Sequence, residues 1–200
     1  MPRALVLRLA LIALVAFAAA VAAVALWFTP DPKTKLETTA ETLLGGPFAL
    51  TDAEGKRRTD AEFRGKHMLV FFGFTNCPDF CPTALSTMSQ ALEKLGPKAA
   101  NLAPIFISVD PERDTPEQLK NYAQNFDKRI VMLTGTPAEI AAVARAYRVY
   151  YAKRPLEKPG EYTVDHSAYI YLMGPGGKYL THFRTAVSPD DLADALGKRL

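Results

Sequence analysis

The chain has 200 residues, 48% of them apolar, with 24 basic against 21 acidic side chains and only two cysteines, Cys77 and Cys81. That length suits one domain with a little extra chain. The balanced charge excludes a nucleic-acid binder that works by neutralising phosphates. Two cysteines exclude a disulfide scaffold or a four-cysteine zinc module, and the aliphatic content excludes wholesale disorder.

The apolar residues are unevenly spread. Leu9 to Phe28 is an unbroken run of 20 apolar residues, and the rest of the chain has an ordinary globular proportion. As a helix, 20 residues rise about 30 Å, enough to cross a hydrocarbon core. Arg3 and Arg8 precede the run and every acidic residue follows it. The positive-inside rule then puts the N-terminus in the cytoplasm and the remainder outside. A cleaved signal peptide is the competing reading, encouraged by the alanines at 18–20 and 22–23, but the run exceeds the usual signal core. No Arg/Ser-rich stretch of the transit-peptide kind precedes it, which favours a bacterial inner membrane with the domain in the periplasm. The expected organisation is a cytoplasmic N-terminus (1–8), a transmembrane anchor (9–28), a tether (29–46) and one domain (47–200).

Within the tether a short helix over 35–44 is possible. Phe48–Thr51 and Lys56–Thr59 flank Asp52-Ala53-Glu54-Gly55, a hairpin signal. Met68–Phe74 is a continuous apolar run, as in a strand covered on both faces. Pro82–Leu95 spaces Leu85, Met88, Leu92 and Leu95 for a helix and stops at Gly96-Pro97. Ala103–Val109 reads as a second buried strand. Thr115-Pro116-Glu117-Gln118 opens a helix with an N-cap and a proline at the first helical position. After a short strand, Ile130–Leu133, Thr136-Pro137-Ala138-Glu139 repeats that start. Pro155, Pro159 and Gly160 make Ala152–Glu161 a loop. Ala168–Met173 and Tyr179–Phe183 form a hairpin, and Ser188–Leu200 ends the chain with a capped helix. Alternating strands and helices predict an α/β fold with a mixed, mostly parallel central sheet, flanking helices and an N-terminal hairpin. A strand that runs into a close cysteine pair and then a helix is the outline of a thioredoxin-like domain.

Cys77-Pro78-Asp79-Phe80-Cys81-Pro82 stands where that strand gives way to the helix. Free N–H groups and the positive dipole end of a helix favour thiolate over thiol. A structural disulfide is weak here, because so short a loop constrains the unfolded chain little. A redox dithiol and a metal pair both remain open. Thioredoxin-type redox motifs have two residues between the cysteines, and this chain has three. Two thiolates suit Cu(I) and tolerate Zn(II).

A metal site needs a third ligand, and the chain has three histidines. His67 opens the buried strand at the end away from the cysteines. His182 lies late in the second strand of the C-terminal hairpin. His166 lies in Tyr162-Thr163-Val164-Asp165-His166-Ser167, a loop that in a thioredoxin-like domain faces the cysteine pair, so it is the candidate ligand. Asp165 reads first as a solvated loop carboxylate, with orienting the His166 ring as the alternative. The Ala152–Glu161 loop, with Lys153, Arg154, Glu157 and Lys158, would lie near the site and could dock a partner.

Three segments together resemble the Sco/SenC family of membrane-anchored, copper-binding, thioredoxin-like proteins. They are Cys77 to Thr83, then Ser108-Val109-Asp110-Pro111-Glu112-Arg113-Asp114-Thr115-Pro116, then Val164-Asp165-His166-Ser167. The resemblance implies that Cys77, Cys81 and His166 are copper ligands, for Cu(I), Cu(II) or both. It also implies a partner, subunit II of cytochrome c oxidase, whose dinuclear copper site the family helps to assemble. Other copper-handling or thiol-redox proteins are further possible partners. Asp110 and Asp114 flank the second segment and are not assigned to the metal. The chief alternative is a thiol–disulfide reductase that keeps the oxidase cysteines reduced. A peroxidase is weaker, because Thr75 is two residues before Cys77 and peroxiredoxins place theirs three before.

Overall fold

A computed structural model describes residues 12, 14–22, 24 and 44–200. The chain divides after Ala40. In the second unit the elements are, in order, β1 (Ala49–Asp52), β2 (Arg57–Thr59), β3 (His67–Gly73), α1 (Phe80–Leu95), β4 (Leu102–Ser108), α2 (Pro116–Ala123), β5 (Val131–Thr134), α3 (Pro137–Ala146), β6 (Tyr151–Pro155), β7 (Tyr162–His166), β8 (Tyr169–Met173), β9 (Tyr179–Arg184) and α4 (Pro189–Gly197). Short 3-10 turns cover Asp60–Phe63 and Gly96–Asn101.

Seven strands form one sheet in the order β2-β1-β5-β4-β3-β8-β9. The β5-β4-β3 trio is parallel, as the strand–helix alternation predicts. The two hairpins, β1–β2 and β8–β9, join it antiparallel on either side. The continuous apolar runs are explained by position: β3 from Met68 onward and all of β4 are buried. Pro104 sits in a central strand because β5 pairs with β4 only from Ile105 onward, which leaves that edge of Pro104 without a ladder partner.

Three helices start alike. Thr115, Thr136 and Ser188 are N-caps whose hydroxyls accept from Gln118, Glu139 and Asp191 backbone N–H groups, each followed by proline. At Thr136 the Glu139 carboxylate returns a bond to the cap N–H, completing a capping box.

The expected loop over 152–161 is corrected. Tyr151–Pro155 is a strand, paired antiparallel with Tyr162–His166 in a separate two-stranded sheet. His166 therefore ends a strand and is not in a loop. Pro155 and Gly160 only shape the hairpin end, where Gly160 takes φ 85°. The remaining strands and helices lie within a few residues of their expected ends.

The anchor expected at 9–28 falls partly, and the helix at 35–44 almost wholly, outside the described residues. Residues 12, 14–22 and 24 are helical and exposed. Among the described residues no helix is long and apolar enough to cross a membrane.

Candidate metal centre

Strand β3 ends at Gly73, and the chain turns through Phe74-Thr75-Asn76 into Cys77 and the N-terminus of α1. The N-cap of α1, Asp79, makes no side-chain bond to the helix backbone. Instead the Cys77 sulfur accepts the N–H of Cys81 at 3.4 Å. It thus does for one orphan donor what a cap oxygen does elsewhere in this chain. Cys81 itself lies in the first turn, fully buried, while Cys77 is part-buried.

Gly73 makes room for Cys81. A Cβ there would lie 2.9 Å from Cys81 Sγ and from the Phe106 ring, and 3.2 Å from Phe71. Those neighbours are core side chains with nowhere to go, so only glycine lets the sulfur sit against the end of β3.

His166 comes from the other side. Its Nε2 is 3.3 Å from Cys81 Sγ, and its Nδ1 is 3.1 Å from the Ser167 carbonyl oxygen. A carbonyl only accepts, so Nδ1 carries a proton, and in the neutral ring the Nε2 lone pair faces the sulfur. The ring is wedged edge-on against Phe71 and Phe74, with centroids 6.1 and 5.9 Å away. Cys77, Cys81 and His166 offer one donor atom each, all within 4.8 Å of one another. Soft donors spaced like this fit a three-coordinate first-row metal, whose bonds of about 2.0–2.3 Å set its ligands about 3.5–4 Å apart.

The two sulfurs differ electrostatically. The Cys81 thiol beside it, and then the α1 N–H groups, pull the Cys77 pKa down to about 4 against the opposing effect of burial. Cys81 moves up, because its proton is held by Cys77 and because it is buried. Metal-free, the pair is one thiolate and one thiol sharing a proton.

Two buried carboxylates frame the site. Asp114, fully buried, accepts from Thr75 N–H at 3.0 Å, Thr75 Oγ1 at 2.6 Å and Ser108 Oγ at 2.5 Å. Burial raises its pKa, and those three donors oppose the rise. It thereby ties the loop before Cys77 to the end of β4. Asp110, also fully buried, pairs with Arg113 and accepts from Tyr162 Oη at 2.8 Å, which ties β7 to the same loop.

Asp165 does not orient His166. It points to the opposite side of β7 and pairs with Arg154 at 2.7 Å; the Ser167 carbonyl holds the ring instead. Lys153 pairs with Glu112, and Lys158 with Glu161. His67 lies at the far end of β3, paired with Leu102. His182 meets Tyr179 Oη at 2.5 Å on the outer hairpin. Neither joins the cluster. A groove of about 450 Å3 opens beside Cys77, walled by Phe74, Pro78 and exposed Phe80 on one side and by residues 163–166 on the other. The hollow between Asp52, Lys120 and Met132 holds none of the three donors.

Two outcomes follow from this geometry. Gly73→Ala drives a methyl into Cys81 Sγ and should cost about 1–3 kcal/mol in denaturant titration, as overpacking does; unchanged stability would show that the sulfur is free to move. In the reduced protein, Cys77 should be alkylated by iodoacetamide at acid pH. Its rate should fall only as pH drops through about 4, because the thiolate is the reactive form. A midpoint near that of a free thiol would contradict the proton sharing.

The family model described as SCO1/SenC matches residues 36–200. The human mitochondrial SCO1 homologue is 48% identical over 143 residues, which cover 70% of this chain and 48% of that protein. The chain thus spans about half the length of the curated relatives it matches first. Among solved structures, copper-bound ScoI of Bradyrhizobium japonicum superposes with a TM-score of 0.74 at 48% identity, covering 78% of this chain and 99% of that one. BsSco, described as a Sco-family cytochrome c oxidase assembly protein with a disulfide switch, superposes at 0.62 with 30% identity, covering 78% and 92%. Family pattern, sequence identity over most of the domain and the shared architecture agree: the chain belongs to the SCO1/SenC family.

Proposed function

We propose that this protein is a copper metallochaperone that binds copper through Cys77, Cys81 and His166 and delivers it to, or helps assemble, the dinuclear copper site of cytochrome c oxidase subunit II. The observation that carries the reading is the meeting of two sulfurs and an imidazole nitrogen within 4.8 Å. Redox exchange at the cysteine pair needs no histidine there. Copper is cargo in this reading. Reduced Cys77 and Cys81 with neutral His166 hold Cu(I), and an acceptor sulfur arriving along the groove beside Cys77 forms a bond to copper as the Cys77 bond breaks. No electron is transferred, and copper is never released to water. Metal entry expels the proton shared by the sulfurs, so affinity falls with acidity. The copper-bound relatives in the family support the choice of metal.

A thiol–disulfide reductase is the second reading, favoured by the low pKa of part-buried Cys77 beside a protonated partner. Oxidation of the pair to a disulfide would remove both copper sulfurs, so one site can serve both roles at different times. The domain is held outside the cytoplasm in this reading by the apolar run at 9–28, with Arg3 and Arg8 inside.

Copper titration of the reduced chain should give one copper per chain. His166→Ala, with an intact circular dichroism spectrum, should lower the affinity by at least about tenfold. Unchanged affinity defeats the third ligand, and disulfide reduction that survives His166→Ala but fails in either cysteine variant favours the reductase. For the anchor, a periplasm-dependent reporter fused after residue 40 should be active and membrane-bound after alkaline washing; an inactive or freely soluble fusion overturns the topology.

A further inference from the structure

Strand β7 has no ladder bonds to the seven-stranded sheet, since β6 and β7 pair only with each other. What seats β7 on the domain is one of its faces. Alternation puts Tyr162, Val164 and His166 on the same side. Val164 is buried in the core, and His166 lies on Phe71 and Phe74. Tyr162 is gripped by the loop that follows β4. Its hydroxyl donates to Asp110 Oδ1, and Arg113 Nη1 donates to its carbonyl oxygen, both at 2.8 Å. The Arg113 guanidinium stacks 3.7 Å from the centre of the ring and also pairs with Asp110, while Lys153 Nζ lies 4.6 Å from the same ring. One planar guanidinium thus meets a ring, a carbonyl and a buried carboxylate together, a task a lysine cannot repeat.

We infer that Arg113 and Tyr162 are positioning residues for the copper site. By fixing the far end of β7, about 13 Å along the strand from His166, they hold Nε2 within reach of the two sulfurs. This rests on the copper reading above and extends it to residues that touch no metal. The same loop restrains the cysteine side through Asp114 and Thr75. The span between sulfurs and imidazole is therefore set by one short piece of chain, 108–114. Without the clamp, the hairpin keeps its base but loses its outer anchor, His166 samples positions off the sulfurs, and copper escapes through a two-sulfur state.

The test uses the full chain in detergent, reduced and loaded with one equivalent of Cu(I), with loss of copper to a chromophoric chelator followed by stopped flow. Tyr162→Leu and Arg113→Lys should each speed the loss by about tenfold and add nothing further in a His166→Ala background. Wild-type rates in the folded single variants overturn the clamp. So does an equal acceleration on top of His166→Ala, since that is general loosening and not action through the histidine. Should Tyr162→Leu fail to fold, Tyr162→Phe keeps the stacked ring and removes only the bond to Asp110; acceleration that depends on His166 supports the clamp, and a wild-type rate overturns it. An unaltered rate in His166→Ala alone defeats the copper reading and this one with it, whereas a fast His166→Ala beside unaltered clamp variants defeats the clamp only.

Discussion

Asp110 and Asp114 are fully withdrawn from solvent four residues apart, and the site is arranged around that fact. A buried carboxylate left without partners is a penalty of about 3–5 kcal/mol, far above the worth of one ordinary hydrogen bond. Their partners are therefore obligatory, and they come from three pieces of chain. Thr75 belongs to the cysteine loop, Ser108 to the end of a central strand, and Tyr162 to the strand that carries His166. Satisfying two carboxylates thus brings the sulfur half and the nitrogen half of the site to one loop. Neither acid touches the donors, yet both decide where the donors are.

The same burial sorts the two sulfurs. Cys77 stands at the mouth of α1, where free N–H groups and a neighbouring thiol favour its charge. Cys81, pressed against Gly73, keeps the proton. A partner arriving from outside meets the charged, accessible sulfur first and the buried one last. That order is what stepwise ligand exchange requires, and it is also what a nucleophilic thiol with a resolving neighbour requires. The cysteines alone do not separate the two chemistries.

Local rules made much of this legible. Thr-Pro and Ser-Pro starts, continuous apolar strands and glycine-rich turns are signals carried within a few residues, and each marks an element where it is expected. The candidate donors were legible for the same reason: a strand, a turn with two cysteines and a helix start are contiguous in the chain. The hairpin β6–β7 was not. Tyr151-Ala152-Lys153-Arg154-Pro155 has no buried face of its own and is mostly exposed, so neither periodicity nor composition marks it as a strand. The signal lay in its partner, where Tyr162, Val164 and His166 alternate with more polar neighbours. That alternation also rules out Asp165 as a support for His166, because adjacent residues in a strand point to opposite faces. In the sequence Asp110 and Asp114 only flank a helix start, and nothing local gives them a role. Only the tertiary fold, by bringing Tyr162 to Asp110 and Thr75 to Asp114, makes them structural.

The histidine is then the residue that separates the two chemistries proposed for the pair. A disulfide brings two sulfurs to about 2 Å and leaves no space for a bridging ion. A metal needs them apart and both deprotonated. Thiol exchange at Cys77 is complete with Cys81 as its partner and has no use for an imidazole whose Nδ1 proton is committed to the Ser167 carbonyl. A fixed tautomer with its lone pair aimed at Cys81 is a poor proton shuttle, since the proton it holds faces away from the sulfurs. It is a good ligand for the same reason. The Nδ1 bond spends the proton where it cannot compete with a metal, and the Phe71 and Phe74 edges keep the ring from turning.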